Sequence, residues 1–195
     1  GSQGQPVTIP ANTDPFIAIK FDTNIEEIES FTGIPKPIVT TQNQLLPPSN
    51  NTIFKATIAQ TTTSPLDTNF LDLTIHNLMP FNLRMQVIFH NFYIRNEPLT
   101  IDTIVQSGLT VENPARLDGY IFRNPDPTTV VDSFLVEIIA TILPNAGEQV
   151  VTIPTDMGDA SIDVNLYFAR LKFDMLEGFF NESFDIPPMA IANIP

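Results

Sequence analysis

The chain has 195 residues, of which 43% are apolar and fifteen are Phe, enough to fill a core and too aromatic for a disordered segment. Only 16% are charged, 22 acidic against 9 basic for a net −13, and the basic residues stand singly, so the basic stripe that nucleic acid or an anionic membrane surface requires is missing. Cysteine is absent, which excludes disulfides, thiolate nucleophiles and cysteine-bound zinc.

Gly1-Ser2 reads as a cloning remnant, and residues 1–15, with three prolines, as an extended lead-in. A signal or anchor is expected to have been trimmed from this end. Residues 16–22 alternate, with Ile17, Ile19 and Phe21 on one face, and predict a strand. Thr23-Asn24-Ile25-Glu26 is a capping-box pattern, in which the Thr oxygen and the Glu carboxylate each satisfy a free backbone N–H. With Ile25, Ile28 and Phe31 behind it and Gly33 and Pro35 as stops, it predicts one short helix near residues 24–31. Glu26, Glu27 and Glu29 then form its polar face.

Residues 35–51, rich in Pro and Asn, read as a long connection with room for one short edge strand. Alternation is clear in Phe54, Ala56 and Ile58, in Leu71, Leu73 and Ile75, and in Phe81, Leu83, Met85, Val87 and Phe89. The last two runs are separated by Asn77-Leu78-Met79-Pro80, a link short enough for a hairpin. Further strands are expected at 101–105, 117–122, 130–143 and 149–153. In the apolar run 130–143, Phe134, Val136, Ile138, Ala140 and Ile142 share one face. Leu135 and Ile139 on the other face, like Ile88 earlier, are apolar where a solvated strand is polar. Over 162–173 the apolar parity switches from even to odd, as a β-bulge near Ala169-Arg170 would produce. Residues 184–194 read as an extended, Pro-broken edge.

Together these predict an all-β chain: an antiparallel β-sandwich, immunoglobulin-like or related, of about seven to nine strands with one short helix, forming a single domain over 16–195. No apolar run reaches the roughly 18 residues of a membrane span.

Reactive groups are sparse. No Gly-x-Ser-x-Gly turn is present, and there are two histidines. If 71–76 and 80–89 form a hairpin, His76 and His90 project about 30 Å apart at strand rise and share no metal. The carboxylates nominate no catalytic pair. Without Trp, Tyr93, Tyr120 and Tyr167 are too few for a carbohydrate platform. Sequons at Asn50 and Asn181 are what an Asn-rich chain produces by chance. In 156–163, Asp156, Asp159 and Asp163 surround a Gly turn with oxygen ligands, a candidate calcium site. The spacing is not that of an EF-hand, and a solvated acidic turn leading into a strand is the favoured reading. No other cofactor is implied.

The stretch Phe70-Leu71-Asp72-Leu73-Thr74-Ile75-His76-Asn77-Leu78-Met79-Pro80-Phe81-Asn82-Leu83 resembles extracytoplasmic β-sandwich modules, the late-embryogenesis type 2 (LEA14-like) domains and modules of bacterial surface proteins among them. In these an alternating strand runs into Asn-x-x-Pro-Phe and a second strand returns. The resemblance spans residues 70–89, implies a sandwich used for structure or binding, and carries no catalytic residue across. A helix at 24–31 departs from it.

The expectation is therefore a non-enzymatic structural or interaction domain, extracellular or at a cell surface, whose partner is another protein or a second copy. The alternatives are a carrier of an apolar ligand, lined by such residues as Ile88, Leu135 and Ile139, and a self-assembling coat or shell subunit.

Overall fold

A computed structural model describes residues 8–9, 17–21, 31–33, 36–46, 52–60, 68–153, 160–169 and 171–179. The alternating segments become strands: β1 Thr8–Ile9, β2 Ile17–Phe21, β3 Phe31–Gly33, β4 Ile38–Leu45, β5 Thr52–Ile58, β6 Phe70–Asn77 and β7 Asn82–Ile94. They continue as β8 Glu97–Val105, β9 Thr110–Arg116, β10 Ile121–Arg123, β11 Ser133–Leu143, β12 Val151–Ile153, β13 Ile162–Phe168 and β14 Leu171–Phe179. No helix occurs among the described residues. The helix expected near 24–31 lies outside them except for Phe31, which pairs with Ile153 as a strand residue.

Two antiparallel sheets pack as a sandwich. The eight-stranded sheet runs β1-β14-β5-β10-β7-β11-β4, with β8 also on β7. The four-stranded sheet runs β2-β13-β6-β9, and β12-β3 form a separate pair. Strands beyond the predicted number are mostly short ones: β1, β3, β10 and β12 have two or three residues each. Between the sheets, Leu71, Leu73 and Ile75 of β6 and Val164, Leu166 and Phe168 of β13 meet the inward rows of β7 and β11. Period-2 alternation explains why each long strand is buried on one side only.

Two segments read as continuous in one sheet in fact change sheets. Asn77–Pro80 is not a hairpin link: β6 pairs with β13 and β9, while β7 pairs with β11, β8 and β10. The Asn77 side chain holds this crossing. Its Nδ2 donates to the carbonyls of Phe81 and Val105 at 2.9 and 3.0 Å, and its Oδ1 accepts from Met79 N at 2.9 Å. The bulge expected near Ala169-Arg170 is not needed for the parity switch, because β13 ends at Phe168 in one sheet and β14 begins at Leu171 in the other. Leu166 and Phe168 face the core from the small sheet, and Leu171 and Phe173 face it from the large one, so the parity switch marks the change of sheet.

The edge strand for which 35–51 has room is β4, eight residues along β11. Of the strand expected at 117–122, residues 117–120 are instead the turn between β9 and β10, where Gly119 has φ +76°, and only Ile121 and Phe122 are strand residues. The true hairpin of β7 is with β8, turned by Arg95 and Asn96 at φ +50° and +67°.

Gly178 lies where β14 shifts register against β5. A Cβ there would overlap the Thr52 carbonyl oxygen and stand 3.2 Å from Ile53 Cα, both backbone. Gly178→Ala is expected to cost about 2 kcal/mol as local overpacking. Urea unfolding would show it, and an unchanged midpoint would mean that the end of β14 lies outside the cooperative unit.

Candidate interaction surface

The inward faces fill the core, so among the described strands the outward faces and the edges are what a partner can reach. The outward face of the small sheet is polar: Asp72, Thr74 and His76 on β6, Asp163, Asn165 and Tyr167 on β13, Glu112 and Arg116 on β9. Asp163 pairs in register with His76 on one side and Lys20 on the other. One carboxylate oxygen each of Asp72 and Asp163 is buried without a hydrogen-bond partner. The two residues lie apart, since Asp72 pairs with Tyr167, four positions along β13 from Asp163. Of the calcium candidates, Asp156 and Asp159 lie outside the described residues. Among those described, no three metal-ligating side chains are grouped. His76 and His90 belong to different sheets.

The outward face of the large sheet differs. Register places Ile104, Asp102 and Thr100 of β8 beside Arg84, Gln86 and Ile88 of β7. Those lie in turn beside Thr141, Ile139 and Glu137 of β11, and Val39 and Thr41 of β4 close the last two rows. Val39, Leu45 and Ile104 are 56%, 67% and 58% exposed, while Ile88, Leu135 and Ile139 are half-buried. These last three thus stand on the outside of the sheet.

One ion pair on this face is matched within it. Arg84 donates to both carboxylate oxygens of Asp102, at 2.9 and 2.6 Å, and Gln86 donates to Asp102 at 3.1 Å. The Arg84 hydrogen bonds hold the Asp102 carboxyl below its usual range. His90 Nε2 lies 2.9 Å from Glu137 Oε2. At one end a shallow hollow of about 290 Å³ is lined by Asn43, Ser133 and Leu135 together with the 124–129 loop. That loop is fixed by Asn124, whose Nδ2 donates to Thr129 Oγ1 and to the Val130 carbonyl. Asn91, 1% exposed, locks the loop to the sheet: its Oδ1 accepts from Leu135 N and its Nδ2 donates to Asn124 Oδ1.

The β4 edge completes the surface. Leu46 N donates to Asp132 O, the position that pairs with it at the start of the β4–β11 ladder. In an antiparallel ladder, N–H and C=O of alternate residues point to the same side. Residues 38, 40, 42 and 44 therefore bond β11, and the backbone groups of Val39, Thr41 and Asn43 point away from it. Val39, Thr41 and Asn43 are exposed. Among the described residues, β4 pairs with β11 alone.

The sequence marks Ile88, Leu135 and Ile139, but of β4 it shows only room for a short edge strand within 35–51, because the polar centre (Thr40-Thr41-Gln42-Asn43-Gln44) hides the period of two. The flanking pairs Ile38-Val39 and Leu45-Leu46 were the available signal.

No protein-family model matches the chain, and no curated protein matches it. A solved structure of infectious bursal disease virus, Gt strain, aligns at 12% identity over 91% of this chain, with a TM-score of 0.31. The chain spans 44% of that protein's length.

Proposed function

We propose that this chain is a non-enzymatic structural domain that acts by protein contact through the outward face of its large sheet, in an exported or surface assembly. One observation carries the reading: exposed aliphatic side chains share that face with the ion pair Arg84–Asp102, matched within the face, in a chain of net −13. Two copies of so acidic a chain repel each other over most approaches. A face with little unmatched charge lowers that penalty, and depletion of charge is the compositional mark of interface cores. A second copy is thus the partner best suited to it. Ile88, Leu135 and Ile139 line the outside of a sheet, which favours a contact surface over the apolar-ligand alternative.

Sedimentation velocity over a wide concentration range tests this. The expected result is assembly in multiples of 21.6 kDa, weakened by Ile139→Lys, which adds an unmatched charge at the centre of the face. A protein that stays monomeric at its highest concentration would sink the reading. So would a reproducible hydrolase activity abolished by replacing one carboxylate.

A further inference from the structure

We infer that two copies of this chain join edge to edge through β4, pairing antiparallel about a two-fold axis at Gln42, so that their large sheets become one. The inference rests on the self-association proposed above and names its contact.

Three observations converge. First, Val39, Thr41 and Asn43 direct backbone donors and acceptors away from β11, and these groups are met fully only by another strand. Second, β4 lacks the devices that block such pairing. Residues 38–46 contain no charge, proline or glycine. The other long edges are protected: β8 carries Glu97, Pro98 and Asp102, and β9 carries Glu112, Pro114 and Arg116.

Third, the segment is self-complementary. Ile38-Val39-Thr40-Thr41-Gln42-Asn43-Gln44-Leu45-Leu46 has two apolar residues at each end and five polar ones between. A two-fold axis at Gln42 sets Val39 against Leu45 and Thr41 against Asn43 on the outward face, apolar on apolar and polar on polar. It also sets Ile38 against Leu46. The same axis makes Thr41 and Asn43 of opposite copies a hydrogen-bonded pair, giving about four hydrogen bonds from these residues across the junction. Backbone direction and side-chain pattern therefore select one register. A two-fold contact of this kind is closed, so the product is a dimer.

The test uses the full chain in three variants, each checked for an unchanged circular dichroism spectrum, with sedimentation equilibrium as the readout. Thr41→Pro removes an N–H that points off the sheet and leaves the β11 ladder intact. Its dimer dissociation constant is expected to rise on the order of 100-fold. Thr41→Lys with Asn43→Lys places like charges against each other twice across the axis and should leave a monomer. Thr41→Lys with Asn43→Glu places opposite charges there and should restore the dimer. By NMR, the amides of Thr41 and Asn43 should gain exchange protection on dimerisation, while those of Thr40 and Gln42, already bonded to β11, should not change. If the wild type assembles and these variants assemble equally well, the edge contact is wrong and the outward-face reading stands. If the wild type never assembles, both fail.

Discussion

Asn69→Ala is expected to lower the stability of the fold by about 4 kcal/mol, read from the shift of the urea midpoint at constant slope. Asn69 is fully buried and joins three segments that are distant in sequence. Its Nδ2 donates to the Ala59 carbonyl at 2.8 Å, beyond the end of β5, and to Asp118 Oδ1 at 3.2 Å in the β9–β10 turn. Its Oδ1 accepts from Lys172 N at 2.8 Å, in β14. Removing the amide strands a buried carbonyl and a half-buried N–H, together costing about 3 kcal/mol. Asn69 also sits at φ +52°, where Asn is tolerated and Ala is strained by about 1 kcal/mol. Asn69→Gly separates the two contributions, since it loses the same bonds without the strain and should recover about 1 kcal/mol. A loss below about 1 kcal/mol in Asn69→Ala would mean that these groups find other partners.

Phe92→Ala should be as damaging, about 4 kcal/mol, with a fall in Tm of roughly 10 °C for a domain of this size. Phe92 is wholly buried, and its ring centroid lies 5.4, 5.9 and 5.6 Å from those of Phe122, Phe134 and Phe168. Phe134 and Phe168 stack at 4.9 Å with their planes 10° apart, and Phe122 extends the group to Phe173 at 6.0 Å. The rings come from β7, β10, β11, β13 and β14, so one truncation opens a void shared by both sheets. Phe92→Leu should keep more than half of the lost stability. Thermal unfolding of the two variants checks this, and equal midpoints would show that ring packing adds nothing beyond aliphatic volume.

Much of this architecture was legible because β6, β7, β11 and β13 each bury one face, and a half-buried strand writes that in alternate residues. What alternation cannot write is which sheet a strand joins. A bulge and a change of sheet shift parity in the same way, so Ala169-Arg170 allowed either. Four residues suffice for a hairpin or for a crossing, and at Asn77–Pro80 the outcome is set by three side-chain hydrogen bonds that no periodicity reveals. Arg95 is an uncommon residue for a turn at positive φ, and the β7–β8 hairpin went unread for that reason. The surface divides along the same line. Ile88, Leu135 and Ile139 stood out as apolar residues on polar faces, whereas the edge of β4 is a property of backbone direction and no residue type announces it.

The ladders of the large sheet also govern when the molecule can form. As a nascent chain lengthens, β5 is complete by residue 58, yet its neighbours are β10 at 121–123 and β14 at 171–179. β4 waits in the same way for β11 at 133–143. Apart from the local β7–β8 hairpin, the order in this sheet comes from contacts of high sequence separation, the kind whose loop-closure entropy must be met before the pairing stabilises the chain. Folding is consequently a late and slow event that engages the whole chain. Until β11 is made, β4 lacks the strand that it pairs with among the described residues, and during synthesis its uncharged, proline-free segment must wait for that partner.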